Sequence, residues 1–507
     1  MIPSVVSWLD ARAWRSFLAA ALVGAMVATG QAPLGWVWLA FPALVGLLAL
    51  GHMARGARQA AVLGWLAGTG YFAAALNWIV EPFLVEPELY GWLAPFGLIG
   101  LSGGLALFWG MAFWLARRLG GGPLRLALTL SLVELARGYV LTGFPWALVG
   151  YIWTDTVFAQ LAAWVGPYGL TTLTLAMAAL PVWLWTRLQI SMMSLKAGRV
   201  FGITVGLGTV LWYVGVTLEN RPMPETGADA PVLRLIQPNA PQDQKWDPDM
   251  IPVFFNRMVS YSAESPVPDL ILWPESAVPV LLENSAETLA YISEQAGGAP
   301  MLLGIQRSED RNFYNSAAFV NSTGQATQVY DKFHLVPFGE YMPFPALWRR
   351  LGIHGLAARV DSGYSPGPGP QVIDLGFARA LPLICYEAVF PQYVRLEDRP
   401  DLLVQLTNDA WFGANTGPYQ HLAQARMRAI ESGLPMVRVA NTGVSAVIDA
   451  KGRITASLPL NEAGYLDAPL PGALPPTPYS RTGDLPLGVL LILLACAAIG
   501  VRLRDSD

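Results

Sequence analysis

Charged side chains are sparse up to about Leu218, ordinary in frequency from Glu219 to Asp484, and sparse again until Arg502. That unevenness constrains the fold more than any motif, because a long run without charges buries itself either in a core or in a bilayer. Before Leu218 the apolar stretches are Ser16 to Gln31, Trp36 to Leu50, Gln59 to Val80, Leu89 to Ala116, Leu124 to Val149, Phe158 to Trp185 and Val200 to Leu218. Another runs from Leu485 to Val501, so the reading is about eight transmembrane helices, about seven of them before the charged region. The first two stretches are short and separated by a Pro/Gly turn around Pro33 and Gly35, which predicts a tight helical hairpin. Arg12 and Arg15 precede the first stretch as in a cleaved signal peptide, but the next span follows within a few residues, which favours a retained helix. Hydrophobic residues are 53% of the chain, charged residues 13% and the formal net charge -4. With no Lys/Arg-rich run, this balance argues against a nucleic-acid partner.

The expected organisation is therefore a membrane bundle over residues 1–219, a soluble domain over 220–484 and a closing helix with its tail over 485–507. Basic residues fall on alternate connections: Arg12 and Arg15; Arg55 and Arg58; Arg117, Arg118 and Arg125; Arg187, Lys196 and Arg199; Arg502 and Arg504. One intervening loop carries Glu81, Glu86 and Glu88 instead. By the positive-inside rule both termini are cytoplasmic and the soluble domain faces outward, into the periplasm if the source is a bacterium. Within the spans, Glu134 and Arg137 stand three residues apart and can pair on one helical face. No chain of further ionisable groups continues from them, so the pair reads as structural and not as an ion path.

From Val232 the pattern changes to short β-branched runs: VLRLIQ, LILWPE, MLLGIQ, YNSAAFVN, ATQVYDK, ALPLICYE, LLVQLTND and MVRVANTGVSAVID. Helix-like segments lie between several of them, Met250 to Ala263, Ser285 to Gly297 and His421 to Ser432, and together they predict an α/β domain. Three runs end on reactive side chains, Glu275, Lys332 and Cys385, and strand ends are where such folds gather a site. The chain has 2 cysteines, too few for a disulfide framework or a four-ligand zinc site, which leaves Cys385 as a candidate nucleophile. A glutamate can take the thiol proton and pass it to a leaving group, and a lysine favours both thiolate and oxyanion. Acyl transfer through a thioester is the reaction such a set performs. His334, two residues beyond Lys332, is a second possible base, while His52, His354 and His421 form no metal-binding pattern.

The order WPES, DKFHLVPFGEY, ICYE resembles the nitrilase superfamily. With LTGFPWALVGY at Leu141 to Tyr151, TNDAWFG at Thr407 to Gly413 and the surrounding spans, it is similar to the apolipoprotein N-acyltransferase family. That resemblance implies an αββα nitrilase-like sandwich on the membrane bundle. It also implies transfer of an acyl chain from a membrane phospholipid to the α-amino group of an apolipoprotein's diacylglyceryl-cysteine, with no cofactor and no metal. It assigns Cys385 as nucleophile, Glu275 as base and Lys332 as oxyanion-stabilising cation, and points to Glu340, Tyr386, Glu387 and Trp246 as supporting residues. Asn408 and Trp411 are expected to shape the pocket. The alternatives are a membrane-anchored amidase that uses water as acceptor, against which stands the size of the anchor, and a transporter or lipid-binding scaffold, against which stands the intact Glu-Lys-Cys set.

Between the lysine and cysteine runs, 340–370 carries Tyr341, Met342, Phe344, Leu347, Trp348, Leu351 and Ile353, with Arg349 and Arg350 and a Pro/Gly-rich end. This is more apolar surface than a solvated loop should expose, and the two readings are residues packed onto the sheet as satellite core and, preferred, a mobile arm that dips into lipid at the bilayer surface. For the cysteines the expectation is simple: Cys385→Ala abolishes turnover and Cys496→Ala, in the last apolar stretch, does not. Turnover of the two purified variants checks it, and the opposite pattern would overturn the choice of nucleophile.

Overall fold

The computed structural model describes residues 13–187, 195–227, 229–344, 346, 350 and 363–504. The chain divides into two compact units, one made of Met1–Val80, Leu93–Arg221 and Arg481–Asp507, the other of Glu81–Trp92 and Pro222–Ser480. The segment bearing Glu81, Glu86 and Glu88 thus groups with the second unit, although it lies within the stretch expected to belong to the bundle.

The first unit is helical: α1 (Ala13–Ala28), α2 (Val37–Met53), α3 (Ala57–Ala75), α4 (Ala94–Arg118), α5 (Pro123–Arg137), α6 (Ala162–Arg187) and α7 (Leu195–Glu219). Helices α1 and α3 approach backbone to backbone on small residues. A Cβ on Gly24 would stand 2.0 Å from the Ala67 carbonyl oxygen, and one on Gly70 equally close to that of Ala21. Close approach of this kind is how helices associate where no hydrophobic gradient drives them together.

By length and composition, four segments of the described residues can cross a membrane: Pro87–Arg118, Val157–Arg187, Gly198–Glu219 and Leu485–Arg502. A fifth counts if Ala57–Ala75 and Asn77–Leu84, bent by 53°, form one span. This is fewer than the eight or so expected, and the reasons are local. Trp14–Ala28 and Val37–Met53 are too short to span unaided. The stretch read from Leu124 to Val149 is helical to Arg137 and then breaks, with Gly143 at φ 71 and short 3-10 turns after Leu148. Glycine also interrupts α6, at Gly166 (φ 67), just before Pro167.

That break leaves carbonyls to be satisfied, and Arg137, held by Glu134, satisfies them. Arg137 pairs with Glu134 at 2.6 Å and donates to the carbonyls of Phe144 and Trp146, the latter at 3.0 Å. Trp109 Nε1 donates to Glu134 at 2.8 Å, and both members of the pair are buried. Their use is thus to tie the irregular 144–146 segment to α5, the structural role read from the sequence.

The second unit is a two-sheet sandwich. Its strands are β1 (Val232–Gln237), β2 (Leu270–Leu272), β3 (Met301–Glu309), β4 (Asn312–Val320), β5 (Ala326–Asp331), β6 (Ile373–Asp374), β7 (Arg379–Ile384), β8 (Leu402–Thr407), β9 (Met436–Ala440), β10 (Ser445–Ile448), β11 (Ile454–Leu458) and β12 (Gly464–Pro469). One sheet has the order β12-β1-β2-β3-β4-β5 and the other β11-β10-β9-β8-β7-β6. Strands β1-β2-β3 are parallel, as are β7-β8-β9. Alternation of period two sends Leu233, Leu235, Leu270 and Leu272 to the interface that also holds Leu402, Val404, Leu406, Val437 and Val439.

The opposite face of the first sheet, with Ile271, Trp273 and Leu303, is covered by α8 (Ile251–Ser262) and α9 (Ala286–Gln295) through Met258, Val259, Leu289 and Ile292. The opposite face of the second, with Leu381, Leu383 and Leu403, is covered by α10 (Gly417–Ser432) through Leu422, Ala425 and Ala429. The layering is αββα, and buried sheets explain why these strands read as near-continuous apolar runs. The last helix, α11 (Leu485–Arg504), belongs to the first unit.

Breaking the buried pair strands a charge. Arg137→Met should lower stability by about 3–5 kcal/mol, whereas the double change Glu134→Leu, Arg137→Met should recover much of it. Thermal melting in detergent measures both. Equal melting of the single and double variants would show that the pair is not coupled.

Candidate active site

Glu275, Lys332 and Cys385 stand just past the ends of β2, β5 and β7. Each is held by the backbone around it. Gly304 on β3 accepts from the backbone N–H groups of Ala277 and Val278, and a Cβ there would come within 2.1 Å of the Pro274 carbonyl oxygen and 2.7 Å of Glu275 Cα. Only glycine leaves room for the Glu275 segment to lie against β3. Lys332 N donates to the Asn315 carbonyl at 2.8 Å, which continues the β4–β5 ladder one residue past its end. Cys385 is buried at φ 50, the left-handed region that non-glycine residues rarely adopt. The chain turns sharply there into the 3-10 turn Cys385–Val389.

Lys332 Nζ lies 2.9 Å from Glu340 Oε1 and 3.5 Å from Glu275 Oε1. Asn315 Nδ2 donates to the same two oxygens, at 2.7 Å to Glu275 and 3.2 Å to Glu340. Glu340 Oε2 accepts from Val336 N at 2.8 Å, so that carboxylate is bound on both oxygens. Burial alone would pull the Lys332 ammonium down, but Glu340 and Glu275 outweigh it and hold the lysine above its ordinary range. The Cys385 thiol is pushed up, first by burial and then by Glu275, against the opposing pull of Lys332 and a hydrogen bond with Thr407. The resting group is therefore a thiol.

Glu387 stitches the Cys385 turn to the lysine loop. Its carboxylate accepts from Ile384 N at 2.7 Å, Phe333 N at 2.8 Å, His334 N at 3.2 Å and the Tyr330 hydroxyl at 2.9 Å. Burial pushes it up to about 7 even though these donors and Lys332 pull the other way.

Residues 23–180 match the model of the apolipoprotein N-acyltransferase N-terminal domain, and residues 245–475 match that of the carbon-nitrogen hydrolases. The chain is 39% identical over 95% of its length to an apolipoprotein N-acyltransferase of Rhodopseudomonas palustris, covering 94% of it. It is 36% identical over 97% of its length to that of Caulobacter vibrioides, covering 96%. The chain belongs to the apolipoprotein N-acyltransferase family. The relatives are bacterial, and with its apolar helices the chain is a bacterial membrane protein. An amidase of Nesterenkonia sp. is a solved structure similar over 52% of this chain and 99% of its own, at 18% identity and a TM-score of 0.38.

Other residues expected at the site take varied places. Trp246 is half-exposed and lines a cavity with Lys245, Phe254, Met258 and Glu275. Asn408 is bonded to Gln242 and Asn441 at 2.8 Å each; Asn441 is part of that cavity's wall, so Asn408 stands one bond behind it. Trp411 is partly buried in the 3-10 turn Asp409–Phe412 and is not among the residues that line the cavity. Tyr386 is buried with its ring 5.5 Å from His334 and 5.0 Å from Phe390. His334 bonds through Nδ1 to the Tyr393 hydroxyl at 2.6 Å, and burial and Lys332 push it down to about 4, so it is neutral and already engaged. Of the arm, Tyr341, Met342, Phe344 and Arg350 are described, with Met342 buried and Phe344 70% exposed, while 345, 347–349 and 351–362 lie outside the described residues.

Three neighbours of the site escaped the sequence reading. Asn315 sits mid-strand on β4 and reads as a solvent residue. Tyr364 donates its N–H to the Glu340 carbonyl at 2.9 Å. Lys245 is buried, donates to the Glu275 carbonyl at 3.0 Å, and burial pushes it down to about 8. The one signal for Lys245 was its place beside Trp246 in QKWD.

Two measurements test this geometry. Gly304→Ala should displace Glu275 and lower kcat by about a hundredfold, the scale that an ångström of misplacement costs; wild-type kcat would mean that the clash is relieved elsewhere. Alkylation of Cys385 by iodoacetamide should be slow at pH 7 and rise steadily past pH 9, because the folded environment raises the thiol. A plateau near neutrality would mean a preformed thiolate.

Proposed function

We propose that the chain transfers an acyl group from a membrane phospholipid to the α-amino group of an apolipoprotein's diacylglyceryl-cysteine, through a thioester on Cys385. What carries the reading is the meeting of a lysine ammonium with two carboxylates beside a buried thiol, within a chain of this family. In the first half-reaction Glu275 takes the thiol proton, the sulfur attacks the ester carbonyl, and Glu275 returns the proton to the departing lysophospholipid oxygen. Lys332 carries three N–H donors, two of which point at Glu275 and Glu340. The third serves the oxyanion, an interaction of about 3 kcal/mol in the transition state. Glu340 and Asn315 fix the lysine and the base relative to each other, and Glu387 fixes the nucleophile turn. In the second half-reaction the acceptor amine attacks the thioester, Glu275 takes its proton, and the sulfur leaves to be reprotonated.

Location follows from the substrate. A palmitoyl-sized chain has about fourteen methylenes, each costing about 0.8 kcal/mol in water, or about 11 kcal/mol in all. An enzyme that keeps such chains in lipid avoids that cost. We assign residues 1–219 and 485–507 to the inner membrane as about eight spans, counting the short and bent helices as spans within the bundle. Both termini are placed in the cytoplasm and residues 220–484 on the periplasmic side, supported by the alternation of basic connections. Phe344, exposed at the start of the 340–370 segment, lies at the bilayer surface in this reading.

Purified protein incubated with phospholipid should carry an acyl mass on the Cys385 peptide, released by hydroxylamine; its absence from wild type would sink the thioester route. The kinetics should be ping-pong. Deacylation by amine should speed up between about pH 6 and 8, because a free α-amine has a pKa of about 7.7–8.0 and must attack unprotonated. A flat profile over that window would exclude amine ionisation as the limit.

A further inference from the structure

Behind the Cys385 turn lies a polar cluster that none of the steps above uses. Gln405 and Thr407 on β8, Asp409 just beyond it, His421 on α10 and Arg438 on β9 are all fully buried. Five polar side chains taken out of water are costly unless every donor finds an acceptor, and here Arg438 sets most of the assignments. Arg438 can only donate. It donates Nη1 to Gln405 Oε1 at 2.6 Å, Nη2 to Asp409 Oδ2 and Nε to the Val444 carbonyl at 3.1 Å. The first contact turns the Gln405 amide nitrogen the other way, to His421 Nε2 at 2.9 Å and to the Cys385 carbonyl at 3.2 Å.

The second contact keeps Asp409 a carboxylate, held below the usual range by Arg438 and His421 against the penalty of burial. His421 Nδ1, at 2.9 Å from Asp409 Oδ1, must then carry the ring's proton. That leaves Nε2 bare to accept from Gln405, and burial and Arg438 hold the ring neutral. Nε2 also lies 3.1 Å from the Cys385 carbonyl, a contact that is a hydrogen bond only when Nε2 carries a proton, so beside the neutral ring Gln405 Nε2 is the donor that holds that carbonyl. Thr407 completes the set: its hydroxyl bonds Asp409 Oδ1 at 3.0 Å and is within hydrogen-bond reach of the Cys385 sulfur. Gly443 closes the far side, since a Cβ there would stand 2.7 Å from Asp409 Oδ2.

We infer that Arg438, Asp409, His421, Gln405 and Thr407 are positioning residues for the nucleophile, which hold the Cys385 carbonyl from one side and its sulfur from the other. A non-glycine residue at positive φ is strained and persists only where its surroundings over-determine it. Cys385 is such a residue, and this network supplies the grip on it. One guanidinium orients the set, because its donors dictate which end of Gln405 faces the cysteine and hold the carboxylate that meets His421 Nδ1.

The inference rests on Cys385 as the acylated residue, so the test is run in Cys496→Ala protein, where Cys385 is the one thiol, with thioester formation from phospholipid as the readout. Gln405→Glu keeps the shape but puts an acceptor against the Cys385 carbonyl and His421 Nε2. Its acylation rate should fall at least tenfold, with the lipid KM and the melting temperature near those of the parent. If it does not fold, Thr407→Val decides instead: acylation should fall, and Thr407→Ser, which keeps the hydroxyl, should restore it. Parental acylation in folded Gln405→Glu, or equal rates in Thr407→Val and Thr407→Ser, would overturn the inference. Failure of the parent itself to acylate would overturn the thioester route, a separate outcome.

Discussion

An ammonium buried between two carboxylates is the interaction on which the catalytic unit turns. Lys332 is 1% exposed, and a lone charge there would lose its proton or unfold its surroundings. Glu340 and Glu275 keep it charged, Asn315 bridges the two carboxylates, and Val336 N anchors Glu340 from behind. Removing Lys332 would leave two buried carboxylates without a cation between them, and removing Asn315 would take a donor from both. The same two carboxylates that keep the lysine charged also fix where its ammonium sits beside Glu275.

The sandwich makes this possible at little entropic cost. Parallel strands β1-β2-β3 and β7-β8-β9 bring their ends to the rims of two sheets packed face to face, so side chains from distant parts of the chain meet on rigid backbone. Glu387 links the two sheets' contributions, bonding the turn after β7 to the loop after β5. Behind that turn the Arg438 network packs the second sheet against α10 with polar contacts, beside the apolar cluster of Leu381, Leu383, Leu403 and Leu422. The bundle solves a similar problem at its own break, where Arg137 donates to carbonyls that a helix no longer satisfies.

Much of the second unit was legible because its strands are short, apolar and end on conspicuous residues. Helices α8, α9 and α10 begin and end within a few residues of the expected segments, and MVRVANTGVSAVID splits at its Asn-Thr-Gly turn into β9 and β10. Strands β6, β11 and β12 were not read, since Ile373–Asp374 is two residues long and the other two are partly exposed edge segments with no clean alternation. In the first unit hydropathy marked the apolar stretches but not their breaks. Gly143 and Gly166 sit inside runs whose average polarity looks uniform, and a helix ends on φ, not on hydropathy.

By itself, then, the sequence determined the class of the molecule. The periodicity and length of its apolar runs, local properties carried by neighbouring residues, separate a membrane part from an α/β part and place Glu275, Lys332 and Cys385 at strand ends. Only the tertiary structure decided what surrounds them. Asn315, Lys245 and Gly304 come from strands and loops far along the chain, and Arg438 reaches Cys385 through Gln405 across neighbouring strands. The role of such residues depends on distance and on which polar atom faces which, and spacing along the chain encodes neither.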